Sequence, residues 1–493
     1  MKHNERASGI LLPIFSLPSN YGIGTFGKEA YGFIDCLKNA KQKYWQILPL
    51  CPTGFGDSPY QSFSTFAGNP YFIDLDMLID EGLLTRADFE GVDFGSNPRQ
   101  IDYIKLRAGR NQLFRKAFAN SKHCNMKEYL EFIDENASWL EDYCLYMAIK
   151  SRFNDVSWTE WDDDIKFRHP EAIKGYREDL AEEIELHRFL QFYFTRQWSA
   201  LKEYANKNGI RIIGDIPIYV AMDSADVWTD PSLFQLDESL NPISVAGVPP
   251  DYFSEAGQLW GNPLYDWERH ARDGYSWWIK RIGYAAKLYD TVRIDHFKGF
   301  DSFWAVPYGD ETAVNGQWCK GPGIDLFRRI EKHLGYVDII AEDLGVQTDS
   351  LHKLLSEAAY PGMKVIQFGF DNGNDSNNLP HNYVQESVAY TGTHDNATLL
   401  EWYKGLSRVD RDFLRQYCRA SFNNPIDAII KTVFQSVAKL VIVPIQDYLA
   451  LGGEARINVP STVGDNWKWR LTRGQFKKSV QMRIARISET YFR

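Results

Sequence analysis

Eight short apolar runs, most of them rich in β-branched residues, recur along this 493-residue chain, and helical patterns lie between most of them. They cover residues 9–16, 44–50, 210–216, 291–297, 337–342, 363–368, 387–391 and 440–445. Strands that alternate with helices pair in parallel, because each helix carries the chain back to the same end of the sheet. Eight such units predict an α/β chain folded as a parallel (β/α)8 barrel, with an open doubly wound sheet as the alternative. Helices are predicted over 26–41, 137–152 and 181–206. The gap from residue 51 to 209 is too long for one crossover and reads as a mainly helical insertion after the second strand. A second insertion, 225–288, follows the third strand and carries a loop rich in Gly, Pro and aromatic residues at 247–261. No repeat, low-complexity tract or polar linker divides the chain, so residues 1–493 are expected to form one barrel with insertions.

Apolar residues make up 44% of the sequence, enough for a large core. Lys and Arg total 55 against 65 Asp and Glu, a formal charge of −10, and no long basic run occurs. That balance excludes nucleic acid as an expected partner. Aromatics reach 15%, with 15 Trp. Flat rings stack on sugar faces, although core packing is the ordinary role of most of them. Cys36, Cys51, Cys124, Cys144, Cys319 and Cys418 form no C-x-x-C pair, and none stands at zinc-site spacing from a histidine. They are expected to be reduced and mostly buried, in a cytosolic protein. The apolar run at 10–15 is short and holds Pro13, so neither a secretory signal nor a membrane span is expected.

Acids stand at matching places on four strands. The fourth strand ends V-R-I-D-H-F with Asp295, the fifth I-I-A-E-D-L-G with Glu342, the seventh runs into T-G-T-H-D-N with Asp395, and the third holds Asp215 in I-I-G-D-I-P. In a barrel the C-terminal strand ends share one mouth, where chemistry takes place. One such acid alone is ordinarily a helix cap or an ion-pair partner. Several together, with Arg293, His296 and His394 among them, form a costly like-charge cluster that a reaction can use. Paired carboxylates suit glycosidic bond cleavage, one as nucleophile or base and the other as acid. Arg293 precedes Asp295 by two residues, so in a strand both point the same way, and the guanidinium keeps Asp295 ionised. His296 and His394 are expected to donate to sugar hydroxyls.

Other signals are weaker. Gly22, Gly24 and Gly27 match G-x-G-x-x-G, but the second strand ends L-P-L-C-P-T-G without the acid a dinucleotide site needs. They read as a tight turn. Asp74, Asp76 and Asp162–Asp164 read as solvated acids, no metal site is expected, and His3, His123 and His169 read as surface residues. The loop G-V-P-P-D-Y-F-S-E-A-G-Q-L-W-G-N-P-L-Y is apolar enough to cover something, as a lid over a bound chain that excludes water or as packing onto a helix.

Taken together, P-T-G-F-G-D-S-P-Y-Q-S-F-S, G-D-I-P-I-Y-V, G-V-P-P-D-Y-F-S, V-R-I-D-H-F, I-I-A-E-D-L-G and Y-T-G-T-H-D-N resemble glycoside hydrolase family 77, the 4-α-glucanotransferases or amylomaltases. The likeness runs from about Gly9 to the C-terminal R-I-N-V-P and N-W segments. It implies a barrel of the α-amylase clan without a separate C-terminal β-domain. It implies that Asp295 is the nucleophile, Glu342 the general acid/base and Asp395 the transition-state stabiliser. Tyr60, Asp215, Arg293, His296 and His394 match positions that hold the sugar, and Asp251 and Trp260 match the lid. Asn466 falls in the C-terminal segment, and Phe55 and Ser58 in the first motif, with Phe55 where the family pattern has Tyr. The implied activity is transfer of an α-1,4-glucan segment to the 4-hydroxyl of glucose or another glucan, without a cofactor. Hydrolysis by the same acids is the alternative. Monomer and homodimer both stay open.

Overall fold

The computed structural model describes residues 6–250, 254–370, 376–421 and 424–493. Eight parallel strands form its central sheet: β1 (Ala7–Leu11), β2 (Tyr44–Gln46), β3 (Arg211–Pro217), β4 (Thr291–Asp295), β5 (Ile339–Ala341), β6 (Gly362–Val365), β7 (Ser387–Tyr390) and β8 (Leu440–Pro444). Their spatial order is β6-β7-β8-β1-β2-β3-β4-β5. The N–H of Ala341 donates to the Pro361 carbonyl at 3.0 Å and joins the two outer strands, so the sheet closes as a barrel. All eight strands overlap the predicted apolar runs; β1, β3 and β6 begin or end one or two residues outside them, and the other five are shorter than predicted.

Alternation along each strand explains what fills the barrel and what faces the helices. Leu11, Tyr44, Ile213, Ile340, Met363, Val365, Val388, Tyr390, Leu440 and Ile442 form one buried cluster inside it. Their neighbours, such as Ile212, Val292, Ile339 and Val441, pack outward in the larger core. On β4 the inward positions are polar: Thr291, Arg293 and Asp295. Thr291 Oγ1 donates to Asp338 Oδ2 at 3.1 Å near the N-terminal end of the strand, where Arg211 also pairs with Asp338. The barrel therefore changes from apolar to charged along β3 and β4 toward the mouth.

Between β2 and β3 the chain is mainly helical, including Tyr103–Asn120, Leu140–Arg152 and the 27-residue helix Ala181–Lys207. The segments after β3 and after β4 form a feature absent from the sequence-based expectation. Ser244–Val248, Gln258–Pro263, Ser302–Pro307 and Gln317–Lys320 form a four-stranded antiparallel sheet beside the mouth. Both ends of the 247–261 loop thus belong to strands, Ser244–Val248 and Gln258–Pro263, that pair with each other.

The glycine motif after β1 serves close packing. A Cβ on Gly24 would stand 1.9 Å from the Ile14 carbonyl oxygen, and one on Gly27 would stand 2.0 Å from the Asp74 carboxylate. Three sequence-based expectations need correction. Asp74 is not solvated: it is buried, accepts a hydrogen bond from Thr25 at 2.6 Å and caps the helix Leu75–Asp80 through Met77 N–H. His123 is not a surface residue, being only 3% exposed in an aromatic cluster. Of the six cysteines, all unpaired, only Cys144 and Cys418 are buried, and Cys124 is exposed.

Candidate active site

The site begins with strand register. Asp215 on β3 lies directly across from Arg293 on β4, and Pro217 across from Asp295. Arg293 Nη1 donates to both Asp215 oxygens at 2.7 and 2.6 Å, and its Nη2 lies 3.0 Å from Asp295 Oδ1. Tyr60 donates its hydroxyl to Asp215 Oδ2 at 2.8 Å. One buried guanidinium thus serves two carboxylates. Burial pulls its pKa down, but Asp215, Asp295, Tyr60 and Glu342 reverse this and hold it well above the ordinary arginine value. Burial pushes the Asp215 carboxyl up against the pull of Arg293, and it pushes the Tyr60 phenol well up, helped by Asp215. Asp215 is 0% exposed, so it touches Arg293 and Tyr60, not the open mouth.

Glu342 follows β5 immediately. Its backbone N–H donates to the Ile294 carbonyl at 3.0 Å, extending the β4–β5 ladder in which Arg293 pairs with Ile340 and Ile294 with Ala341. The next positions on the two strands are Asp295 and Glu342. One Glu342 oxygen accepts from His296 N–H at 2.7 Å and the other from Leu344 N–H at 2.8 Å. These contacts fix the side chain and favour its ionised form. Burial works the other way and is larger; with the charge of Asp295 it pushes the Glu342 carboxyl up to about 8.

His296 has φ of 52°, a left-handed conformation that costs a non-glycine residue about 1–2 kcal/mol. The kink turns its N–H onto Glu342 and its ring against Trp260, at 4.7 Å and 88°. Burial lowers the imidazole to about 4 despite nearby Asp295, so the ring is neutral near pH 7. Trp260, half-buried on the strand Gln258–Pro263, also meets Tyr219 at 6.2 Å.

Asp395 sits in the loop after β7. His394 Nε2 lies 3.3 Å from its Oδ2, and Asn458 Nδ2 donates to its Oδ1 at 2.6 Å. Arg456 Nη2 donates to its carbonyl at 3.0 Å. The His394 ring stacks on Tyr60 at 5.1 Å and 13°, which ties the Asp395 loop to the Asp215–Arg293 pair. Beneath the loop, buried Asp447 accepts from Thr391 Oγ1 at 2.6 Å and Leu399 N–H at 2.7 Å. Burial raises the Asp447 carboxyl to about 6.

The remaining candidates stand further out. Asn466 is buried, and its amide bonds the backbone of Val459 and Thr462. It anchors the loop that presents Trp467 to Tyr60 at 5.7 Å and to His394 at 5.9 Å. Ser58 Oγ accepts from Tyr60 N–H at 3.2 Å and shapes that turn. Phe55 is 77% exposed on the turn Phe55–Asp57. Asp251 lies outside the described residues. Sequence reasoning gave no role to Arg456, Asn458, Trp467, Tyr219 or Asp447. The only signal for the first two was the R-I-N-V-P stretch.

Residues 12–476 match the family model for 4-alpha-glucanotransferase. The chain is 48% identical to the 4-alpha-glucanotransferase of Streptococcus pneumoniae, over 99% of this chain and 98% of that one. It is 45% identical to that of Thermus thermophilus, over 98% of each. Among solved structures it superposes on the amylomaltase from Streptococcus agalactiae in complex with acarbose with a TM-score of 0.97 and 43% identity, covering 99% of this chain and 100% of that one. These matches extend over nearly the whole barrel and the loops that carry the acids, and the chain belongs to the 4-alpha-glucanotransferase family of glycoside hydrolase family 77.

Proposed function

We propose that the chain moves α-1,4-glucan segments by double displacement, with Asp295 as nucleophile, Glu342 as general acid/base and Asp395 as transition-state stabiliser. The observation that carries this is the unlike surroundings of two neighbouring carboxyls. Asp295 pairs with the Arg293 guanidinium at 3.0 Å, whereas burial pushes the Glu342 carboxyl up to about 8. Neighbouring strands lie about 4.8 Å apart. Acids at the ends of adjacent strands suit a retaining pair, whose carboxyls stand ~5–5.5 Å apart.

In the first step Asp295 attacks the anomeric carbon while Glu342 protonates the departing glucan oxygen, and a glycosyl ester forms on Asp295. Asp395, oriented by Asn458, binds sugar hydroxyls more strongly as the ring flattens toward an oxocarbenium ion. In the second step Glu342 takes the proton of an acceptor 4-hydroxyl, which attacks the ester. Two inversions give net retention. His296 and His394 hold sugar hydroxyls, and Asp215 acts through Arg293 and Tyr60. Trp260, whose ring meets that of His296, excludes water from the ester, which favours transfer over hydrolysis. The acarbose bound to the streptococcal relative supports α-glucans as substrates. No helix among the described residues is long and apolar enough to cross a membrane, and unpaired cysteines support a reducing, cytoplasmic setting.

Incubation with maltotriose tests the activity. Chromatography over time is expected to show free glucose with a ladder of longer maltooligosaccharides; glucose and maltose alone would establish hydrolysis instead. The support of Asp395 is tested separately. Replacing Asn458 by Ala removes one charge-assisted bond and is expected to lower kcat about 10- to 100-fold with little change in Tm. Unchanged kcat would show that Asp395 needs no such orientation. Phe55→Tyr, on an exposed turn, is expected to change KM for long glucans and leave kcat on maltotriose within about twofold. A large fall in kcat would place that ring at the reacting centre.

A further inference from the structure

Among the described residues, His123, Cys124 and Glu185 bring three metal-ligating atoms within 4.8 Å of one another. They lie in the helical segment between β2 and β3. His123 and Cys124 occupy the turn His123–Asn125, and Glu185 projects from the helix Ala181–Lys207. His123 Nε2 is 3.1 Å from Glu185 Oε1, Cys124 Sγ is 3.5 Å from the same oxygen, and Sγ is 3.5 Å from Nε2. These lengths describe one face of a tetrahedron. With Zn–N and Zn–O near 2.0–2.1 Å and Zn–S near 2.3 Å, tetrahedral angles put N and O about 3.3 Å apart and S about 3.5–3.6 Å from either.

The surrounding contacts prepare each ligand. Ser121 Oγ accepts the His123 backbone N–H, and His123 Nδ1 lies 3.1 Å from the same oxygen. With the proton on Nδ1, the Nε2 lone pair faces the carboxylate, an arrangement that asks for a cation between them. Arg188 holds the far Glu185 oxygen at 2.7 Å and is itself fixed by Glu141, so Oε1 is the oxygen left facing the turn. The Tyr129 hydroxyl donates to Oε1, whose second lone pair stays available. Such outer partners are what orient metal ligands. Cys124 is exposed, which leaves the fourth corner open to water.

We propose that His123 Nε2, Cys124 Sγ and Glu185 Oε1 bind a thiophilic divalent cation, Zn2+ by chemistry, which pins the His123–Asn125 turn to the helix Ala181–Lys207. Binding breaks the Cys124 S–H bond, forms a sulfur–metal bond and releases the proton to solvent. The rival is a plain His–Glu ion pair with a free thiol.

The full-length protein, treated with chelator and then titrated with Co2+ alone, tests this. One equivalent is expected to give tetrahedral visible bands and a thiolate-to-cobalt charge-transfer band, and Zn2+ is expected to raise Tm and to displace the cobalt spectrum. Cys124→Ser, an exposed change that leaves transferase activity intact, is expected to lose the charge-transfer band and the Zn2+ effect on Tm. Cys319→Ser is expected to keep both. No thiolate band in the unmodified protein, or one that survives in Cys124→Ser, overturns the site. His123→Gln is a second loss-of-binding variant, read only with a native circular-dichroism spectrum because that ring is packed among Phe118, Tyr129 and Phe189.

Discussion

Asp295→Asn is expected to lower kcat for maltotriose disproportionation by more than about 10⁴-fold while maltooligosaccharides still bind. The amide keeps the shape of the side chain but cannot form the glycosyl ester. It also removes one of the two negative charges that Arg293 serves, since the guanidinium lies 3.0 Å from Asp295 and 2.6–2.7 Å from Asp215. Arg293 keeps its bond to Asp215, so the barrel mouth should hold its form and Tm should stay near that of the parent. Steady-state kinetics with isothermal titration of a maltooligosaccharide separates the two effects. Near-normal turnover would remove Asp295 from the nucleophile's role. Loss of binding together with turnover would show that its charge positions sugar and does not attack it.

Glu342→Gln is expected to lower kcat on maltotriose about 10²–10⁴-fold, because the leaving 4-oxygen loses its proton donor. The pH profile carries the sharper statement. The first step needs protonated Glu342, whose carboxyl stands at about 8 through burial and the charge of Asp295. In the parent enzyme kcat/KM should therefore fall as pH rises through about 8, and in Glu342→Gln that basic limb should vanish. Stability should respond in the opposite sense to the usual paired carboxylate. Below the unfolded value near 4.5 both states carry the proton and the group contributes nothing. Above it the unfolded chain releases the proton while the native state keeps it, so the native state loses stability progressively until about pH 8, beyond which the penalty is constant. Glu342→Gln lacks that penalty and should have the higher Tm at pH 8–9, with the difference shrinking toward pH 4.5. A Tm difference independent of pH would mean that the glutamate is not held protonated by the fold.

Which parts of this were legible in the sequence follows from how far each interaction reaches. The eight barrel strands were visible because each lies on a short run rich in apolar residues with a helical pattern or a long insertion on either side. The shared direction of Arg293 and Asp295 was visible because it needs only the two-residue period of a strand. The antiparallel sheet was not, because two of its four strands carry no such run: Gln317–Lys320 is almost wholly exposed, and Gln258–Pro263 follows a stretch of turn residues. Its pairing is set by contact between segments more than forty residues apart, Ser244–Val248 with Ser302–Pro307. Asn458 supports Asp395 across 63 residues of sequence, and a single amide leaves no local pattern. Asp215 was legible as an acid at a strand end, but its burial under Tyr60 depends on a loop between β2 and β3 closing over it. His123 misled because S-K-H-C-N-M has the polarity of an exposed turn, whereas the ring is enclosed by aromatics from three helices.

The central claim is that Asp295 carries the sugar between donor and acceptor. Glu342→Gln incubated with an α-maltooligosyl fluoride tests it most directly. Fluoride leaves without a proton, so the first step proceeds, and the second stalls for want of a base. Mass spectrometry of the intact protein is expected to show one added glycosyl group, and peptide mapping to place it on the peptide containing Asp295. An adduct on Asp395 or Asp215, or full consumption of the fluoride with no adduct under these conditions, would contradict the account.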